Sequence, residues 1–278
     1  MKILHRKNES RDGSRVGENQ KQQGFSLIEL MIALPIISII VIVLIAALFN
    51  QYANTLAESG RTSLRASGQT ILINLQDELL FTIAYGEELE NRLVDPNEPS
   101  GGWTYDTDPQ TLIINEIAID STRRDDTRSI VRQRVNDCAS SSITANPLAI
   151  NNVFYFVEPN DSGDYSTLYK RTVVPEYDLC SIDTDTGDPC TPVSTTCRSV
   201  AKETTCPESA VGDDGCTTRD SPLSENVLDF EIRYYAEGNV ETPIPSAADK
   251  IEIELTLGDR IFGKDIETVV KHTVRKIN

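Results

Sequence analysis

Hydrophobic positions along the chain follow three regimes. From Leu30 to Phe49 there are twenty residues without a charge, enough for a helix rising about 1.5 Å per residue to cross a hydrocarbon core of about 30 Å. From Asn50 to about Tyr85, Leu56, Leu64, Ile71, Leu72, Leu75, Leu79 and Ile83 recur mostly three or four residues apart, or at multiples near that. This is the signature of an amphipathic helix, which Gly60 and Gly68 weaken locally. Joined to the apolar run it predicts a helix of about 60 residues, or ~90 Å if unbroken. Its second half needs a sheet to cover the apolar stripe.

The third regime is period two. Residues 227–235 ("VLDFEIRYY") set Leu228, Phe230, Ile232 and Tyr234 against Asp229, Glu231 and Arg233, and residues 250–258 ("KIEIELTLG") repeat the scheme. Residues 266–277 offer a closing strand. Such alternation predicts antiparallel strands with one buried face. Residues 152–157 and 166–174 flank "EPNDSGDY" and predict a hairpin with Gly163 in the turn, while 111–115 and 128–135 read as short strands joined through "STRRDDTR". Residues 87–102 are acidic and rich in turn formers, hence a loop. The expected fold is α+β, with a long N-terminal helix on an antiparallel sheet head that spans 86–278.

Residues 178–222 break the pattern. They hold four prolines and five of the six cysteines, and too few apolar residues to hold a shape by burial. Cys138, Cys180, Cys190, Cys197, Cys206 and Cys216 all lie beyond the apolar run, an even number that suggests disulfides in pairings left open by sequence. Cys138 is expected to tie the insert to the sheet. Charge agrees with this polarity. Residues 1–24 carry six basic and three acidic side chains, the remainder 20 basic and 40 acidic. A basic leader before an apolar span keeps the N-terminus in the cytoplasm and exports the body.

Glu29 stands at the mouth of the apolar run, where a carboxylate is costly and calls for a named partner. A secretory signal would end its apolar stretch at a small-residue cleavage site, but here a glycine precedes the stretch. The combination Gly24-Phe25-Ser26-Leu27-Ile28-Glu29-Leu30 resembles the class III signal of type IV pilins and type II secretion pseudopilins. The resemblance implies cleavage between Gly24 and Phe25 by a prepilin peptidase, methylation of the new Phe25 amine, and retention of 25–49 as an assembly helix continued by 50–85. It also implies that leader 1–24 is lost. In a packed assembly Glu29 needs a cation to offset desolvation, and a neighbouring subunit's N-terminal amine would serve and set the axial register. Pro35 lies early in the helix for this family and receives no role.

The pattern of the last fifty residues resembles, more loosely, PilW-type minor pilins and J-type minor pseudopilins. The function this implies is a minor pilin that primes pilus assembly near the tip. Its partners would be the membrane, the inner-membrane assembly platform, other minor pilins and the major pilin. The alternatives are a type II secretion pseudopilin and a surface adhesin displaying the Cys-rich insert.

Little else in the sequence points to chemistry. His5 and His272 are the only histidines, which leaves little material for Ser-His-Asp or Cys-His catalysis or a zinc site. An enzyme is not expected. The acidic body disfavours nucleic acid. Two turn-rich loops offer hard oxygen ligands for Ca2+: Asp183, Asp185 and Asp188 in the insert, and Asn160, Asp161 and Asp164 in the hairpin.

Overall fold

The computed structural model describes residues 26–79, 82–89, 93–118, 131–133, 147–160, 163–174, 182–183, 197–198, 204–212, 216 and 218–276. The chain divides into two compact units, one up to Tyr52 and one from Ala53 onward. Helix α1 runs from Leu27 to Leu79. Its residues up to Tyr52 form the described part of the first unit, and there the apolar side chains lie open, with Leu27 79%, Ile42 66% and Phe49 70% exposed. An apolar surface of this extent is made to be covered by lipid or by other helices.

The second unit is the body. After α1 come β1 (Thr82–Tyr85), β2 (Leu112–Ile117), β3 (Ile150–Pro159) and β4 (Ser166–Val173), then the two-residue strands β5 (Ile182–Asp183), β6 (Cys197–Arg198), β7 (Thr205–Cys206) and β8 (Thr218–Arg219). The chain closes with β9 (Ser221–Ala236), β10 (Val240–Thr242), β11 (Lys250–Ile261) and β12 (Lys264–Arg275). The main sheet has the order β1-β2-β3-β4-β9-β11-β12, with β10 also paired to β9. All its pairings are antiparallel.

Alternation explains the packing. Leu64, Ile71, Leu72, Leu75 and Leu79 of α1 form one buried cluster with Phe230, Ile232 and Tyr234 of β9, Ile251, Ile253 and Leu255 of β11, and Ile266, Val270 and Val274 of β12. Close approach of helix and sheet depends on two glycines. A Cβ on Gly60 would fall 2.2 Å from Ile261 Cδ1, and one on Gly68 would fall 2.7 Å from Val270 Cγ2. The helix-weakening glycines of the sequence are contact points.

The central strands β2 to β4 are covered on both faces. Opposite the helix, Trp103 stacks on Phe154 with ring centroids 4.5 Å apart, within a second cluster that includes Leu93, Ile113, Phe156 and Val173. Burial on both sides accounts for the uninterrupted apolar run "VFYFV" in β3.

The hairpin of β3 and β4 forms as expected, with Gly163 at φ 72°. Three expectations are corrected. The helix ends at Leu79 rather than near Tyr85, because Thr82–Tyr85 pairs with β2 as an edge strand; Ile83 falls four residues after Leu79 and so mimics helical spacing. Leu228 is 46% exposed and Val227 takes the inward place, because a bulge opposite Thr256 and Leu257 shifts the register of β9. Finally, β9 begins at Ser221, inside the stretch assigned to the insert. The segment 119–130 and most of 128–135 lie outside the described residues; Arg132 forms an isolated bridge with Leu148.

Candidate functional site

The N-terminal turn of α1 is where the sequence concentrates its unexplained charge. Ser26 precedes the helix, and its carbonyl accepts from the N–H groups of Glu29 and Leu30 at 3.0 and 3.1 Å. The Glu29 carboxylate folds back to accept from the Ser26 N–H at 3.0 Å, and the Ser26 hydroxyl lies 3.4 Å from the Ile28 N–H that donates to it. This is a reciprocal cap. Ser26 serves orphan donors of the first turn while Glu29 serves the N–H of the cap residue itself. A negative group also suits the positive end of the helix dipole. Glu29 thus has a local partner in the single chain, before any neighbour arrives.

Along the same unit Pro35 sits inside the helix, where it provides no N–H for the carbonyl four residues earlier. Three residues on, the Ser38 hydroxyl donates to the Leu34 carbonyl at 2.8 Å. The exposed apolar side chains around these positions are suited to packing against lipid and against like helices.

Gly24 and Phe25, the expected cleavage pair, lie outside the described residues. So do Cys138, Cys180 and Cys190, as well as Asp185, Asp188 and Asp161 from the expected calcium loops. Asp183 is described in its backbone only, paired with Cys197. In the hairpin, Asn160 is engaged elsewhere: its amide donates to the Glu225 carbonyl at 2.8 Å and its oxygen accepts from the Thr167 hydroxyl. Among the described residues no group of three or more His, Cys, Asp and Glu side chains could hold a metal ion.

Within the insert Cys206 and Cys216 are joined by a disulfide, and β7 pairs in parallel with β8. What anchors this part of the insert is a buried arginine that sequence reasoning missed. Arg171 on β4 is 2% exposed. It donates to Asp220 through Nε and Nη2, and through Nη1 to Asp95 Oδ2 at 3.1 Å and the Asn97 carbonyl at 2.9 Å. Its guanidinium also lies over the rings of Trp103 and Phe156. Burial pulls the guanidinium down, but hydrogen bonding and charge from Asp220, with Asp95 beside it, leave it above its ordinary pKa. Trp103 Nε1 donates to Asp95 at 2.7 Å. The Thr205 hydroxyl donates to Asp220 at 2.8 Å and accepts from the Thr172 N–H at 2.9 Å.

A second polar contact joins helix and sheet: Glu78 of α1 accepts from the Tyr155 hydroxyl and from Lys170 Nζ. Burial, then the charge of Glu78, pushes the Tyr155 hydroxyl well above the ordinary tyrosine range.

Residues 19–46 match the family model described as the prokaryotic N-terminal methylation motif. The match supports the type IV pilin and pseudopilin class. It covers the end of the basic leader, Gly24, Phe25, Glu29 and most of the apolar run. Pilin-like chains of this class are membrane-anchored before assembly and are processed by prepilin peptidase; the open apolar helix fits such anchoring. No curated protein and no solved structure matches the chain.

Proposed function

We propose that the chain is a minor pilin of the PilW type. Prepilin peptidase cuts between Gly24 and Phe25, removes residues 1–24, and the Phe25 amine is methylated. The span 25–49 then holds the precursor in the inner membrane with its N-terminus cytoplasmic and residues 86–278 exported. On assembly this helix packs with those of other minor pilins and the major pilin, and the chain helps prime the filament near its tip. The role is structural rather than catalytic.

One observation carries this reading: an apolar helical stretch, exposed up to Tyr52, begins inside a methylation motif and has a carboxylate in its first turn. Lipid covers such a surface in the precursor and like helices cover it in the filament. Glu29 exchanges its contact with the Ser26 N–H for the N-terminal amine of a neighbour. A misplaced subunit would leave the neighbour's amine without a carboxylate and Glu29 with only its neutral donor, which selects the register.

Mass spectrometry without reduction, on chain recovered separately from sheared filaments and from the envelope, tests the proposal. The expected product begins with N-methylated Phe25 and is present in the sheared fraction. The processed chain confined to the envelope would instead indicate a minor pseudopilin of a type II secretion system, and an intact Met1 leader in assembled material would sink the whole scheme. Replacing residues 178–203, which keeps Thr205, Asp220 and β9 in place, separates priming from adhesion: a primer loses filaments, whereas an adhesin still assembles but loses attachment.

A further inference from the structure

The turn between β11 and β12 consists of Phe262 and Gly263, enclosed by the pair Ile261 and Lys264. Both residues have positive φ, 50° and 75°. Two-residue turns of this hand favour Asn, Asp or Gly at the first position, where an aromatic residue is held against its steric preference. Phe262 nevertheless occupies it, and is 73% exposed. Strain of this kind, at a side chain turned out to solvent, points to use outside the fold.

The tip that carries this ring is pinned. Ile261 packs where Gly60 has no side chain, and Lys264 Nζ donates to Asn54 Oδ1, so the hairpin end is fastened to the first turns of α1 within the body. Asn54 follows Phe49, the last residue of the apolar run, by five positions. A chain of that length spans at most about 17 Å even fully extended. Connectivity alone therefore keeps this end of the body close to the bilayer surface while the apolar run is in the membrane. Asp259, Arg260, Lys264 and Asp265 flank the ring and sum to no net charge, unlike the strongly acidic body.

We propose that Phe262 is an interfacial anchor, which inserts into the phospholipid headgroup layer at the exported face of the membrane before assembly. Exposed phenylalanine, like tryptophan and leucine, buries its apolar side chain at the boundary of headgroups and acyl chains. A ring inserted there gives the chain a second attachment to the bilayer besides the apolar run, and leaves it when the subunit joins a filament. The inference rests on membrane insertion of the apolar run and holds equally for a pilin or a pseudopilin.

The test uses the full chain, reconstituted in vesicles of phosphatidylethanolamine and phosphatidylglycerol, with Phe262→Trp. Trp103, the one native tryptophan, is buried in the core and supplies both the background and a check on folding. The contribution of the introduced indole, taken as the difference from the native chain, is expected to be blue-shifted and quenched by lipids brominated near the headgroup end of the acyl chain. Solvent-like, unquenched emission overturns the proposal. So does a blue shift without bromolipid quenching, which would mean a protein neighbour. Should the variant alter Trp103 emission, hydroxyl-radical footprinting of the native chain in the same vesicles decides instead. Protection of Phe262 upholds the anchor, and reaction at the rate of a free phenylalanine side chain rejects it.

Discussion

Arg171 and Asp220, forty-nine residues apart in sequence, meet in the interior through three hydrogen bonds of 2.6–3.1 Å. Asp220 is the last residue before β9, and its N–H donates to the Cys206 carbonyl at 2.8 Å. The ion pair therefore fastens the end of the Cys-rich insert to a central strand. Asp95 on the same guanidinium does likewise for the loop that carries Trp103.

Substitution of Arg171 by Met should destabilise the body by about 3–5 kcal/mol, because it strands two buried carboxylates. Denaturant unfolding with Trp103 fluorescence reads this directly. Asp95→Asn together with Asp220→Asn in the Arg171→Met background should recover part of the loss, since neutral amides cost less to bury than unpaired carboxylates.

Gly60 and Gly68 should respond differently to alanine. Alanine gains up to about 1 kcal/mol in helix propensity at either site. At Gly60 the obstructing atoms are the far ends of Ile261 and Ile266, which can swing aside; at Gly68 they include Val270 Cγ2, on a stiff β-branched side chain. Gly60→Ala is expected near neutral, and Gly68→Ala to cost about 1–3 kcal/mol from overpacking. Equal effects in thermal unfolding would contradict the assignment of Gly68 as the less yielding contact.

Alkali should destabilise the body in part through Tyr85. Burial, then the charge of Asp249, raises its hydroxyl to about 12 from an ordinary 10.0. The unfolded chain loses this proton near pH 10 and the folded chain only near 12, so the stabilisation is complete below pH 10 and falls as pH rises through that window. The loss amounts to about 3 kcal/mol. Among the described residues the Tyr85 hydroxyl is buried without a hydrogen-bond partner, so Tyr85→Phe should leave neutral-pH stability equal or higher and flatten the decline above about pH 10. Circular dichroism against pH, with and without the substitution, checks both.

Opening the Cys206–Cys216 bridge by Cys→Ser at both positions should cost about 3 kcal/mol, the loop-closure contribution of a short ring. Because Thr205 and Asp220 hold the same segment to β4, hydrogen exchange should rise first in residues 204–220, with β11 and β12 unaffected. Uniform loss of protection would instead make the bridge a constraint on the whole sheet.

Patterned elements were legible and isolated contacts were not. Ile251, Ile253 and Leu255 announce a half-buried strand because period two is a backbone property, and the β3–β4 hairpin is announced by Gly163 between two apolar runs. Ile83 misled because its spacing from Leu79 fits a helix as well as the start of a new element. Leu228 misled because a bulge slips the alternation without changing a residue. Arg171 was invisible for a different reason: one arginine in "STLYKRTVV" has the look of a solvated face, and its carboxylates stand 76 and 49 residues away in segments that read as loops. At the N-terminus, Glu29 could be singled out by its cost in lipid, while its bond to the Ser26 N–H required coordinates.

That small reciprocal cap changes what recruitment of a subunit would involve. A carboxylate that already has a donor within its own first turn is never bare, whether the chain waits alone or stands in a filament. In the proposed assembly, joining would swap one donor for another and leaving would restore the first. The net preference in that scheme is the difference between a carboxylate's bond to a neutral N–H and its ion pair with an amine. On that proposal, one turn of helix serves both entry and reversal.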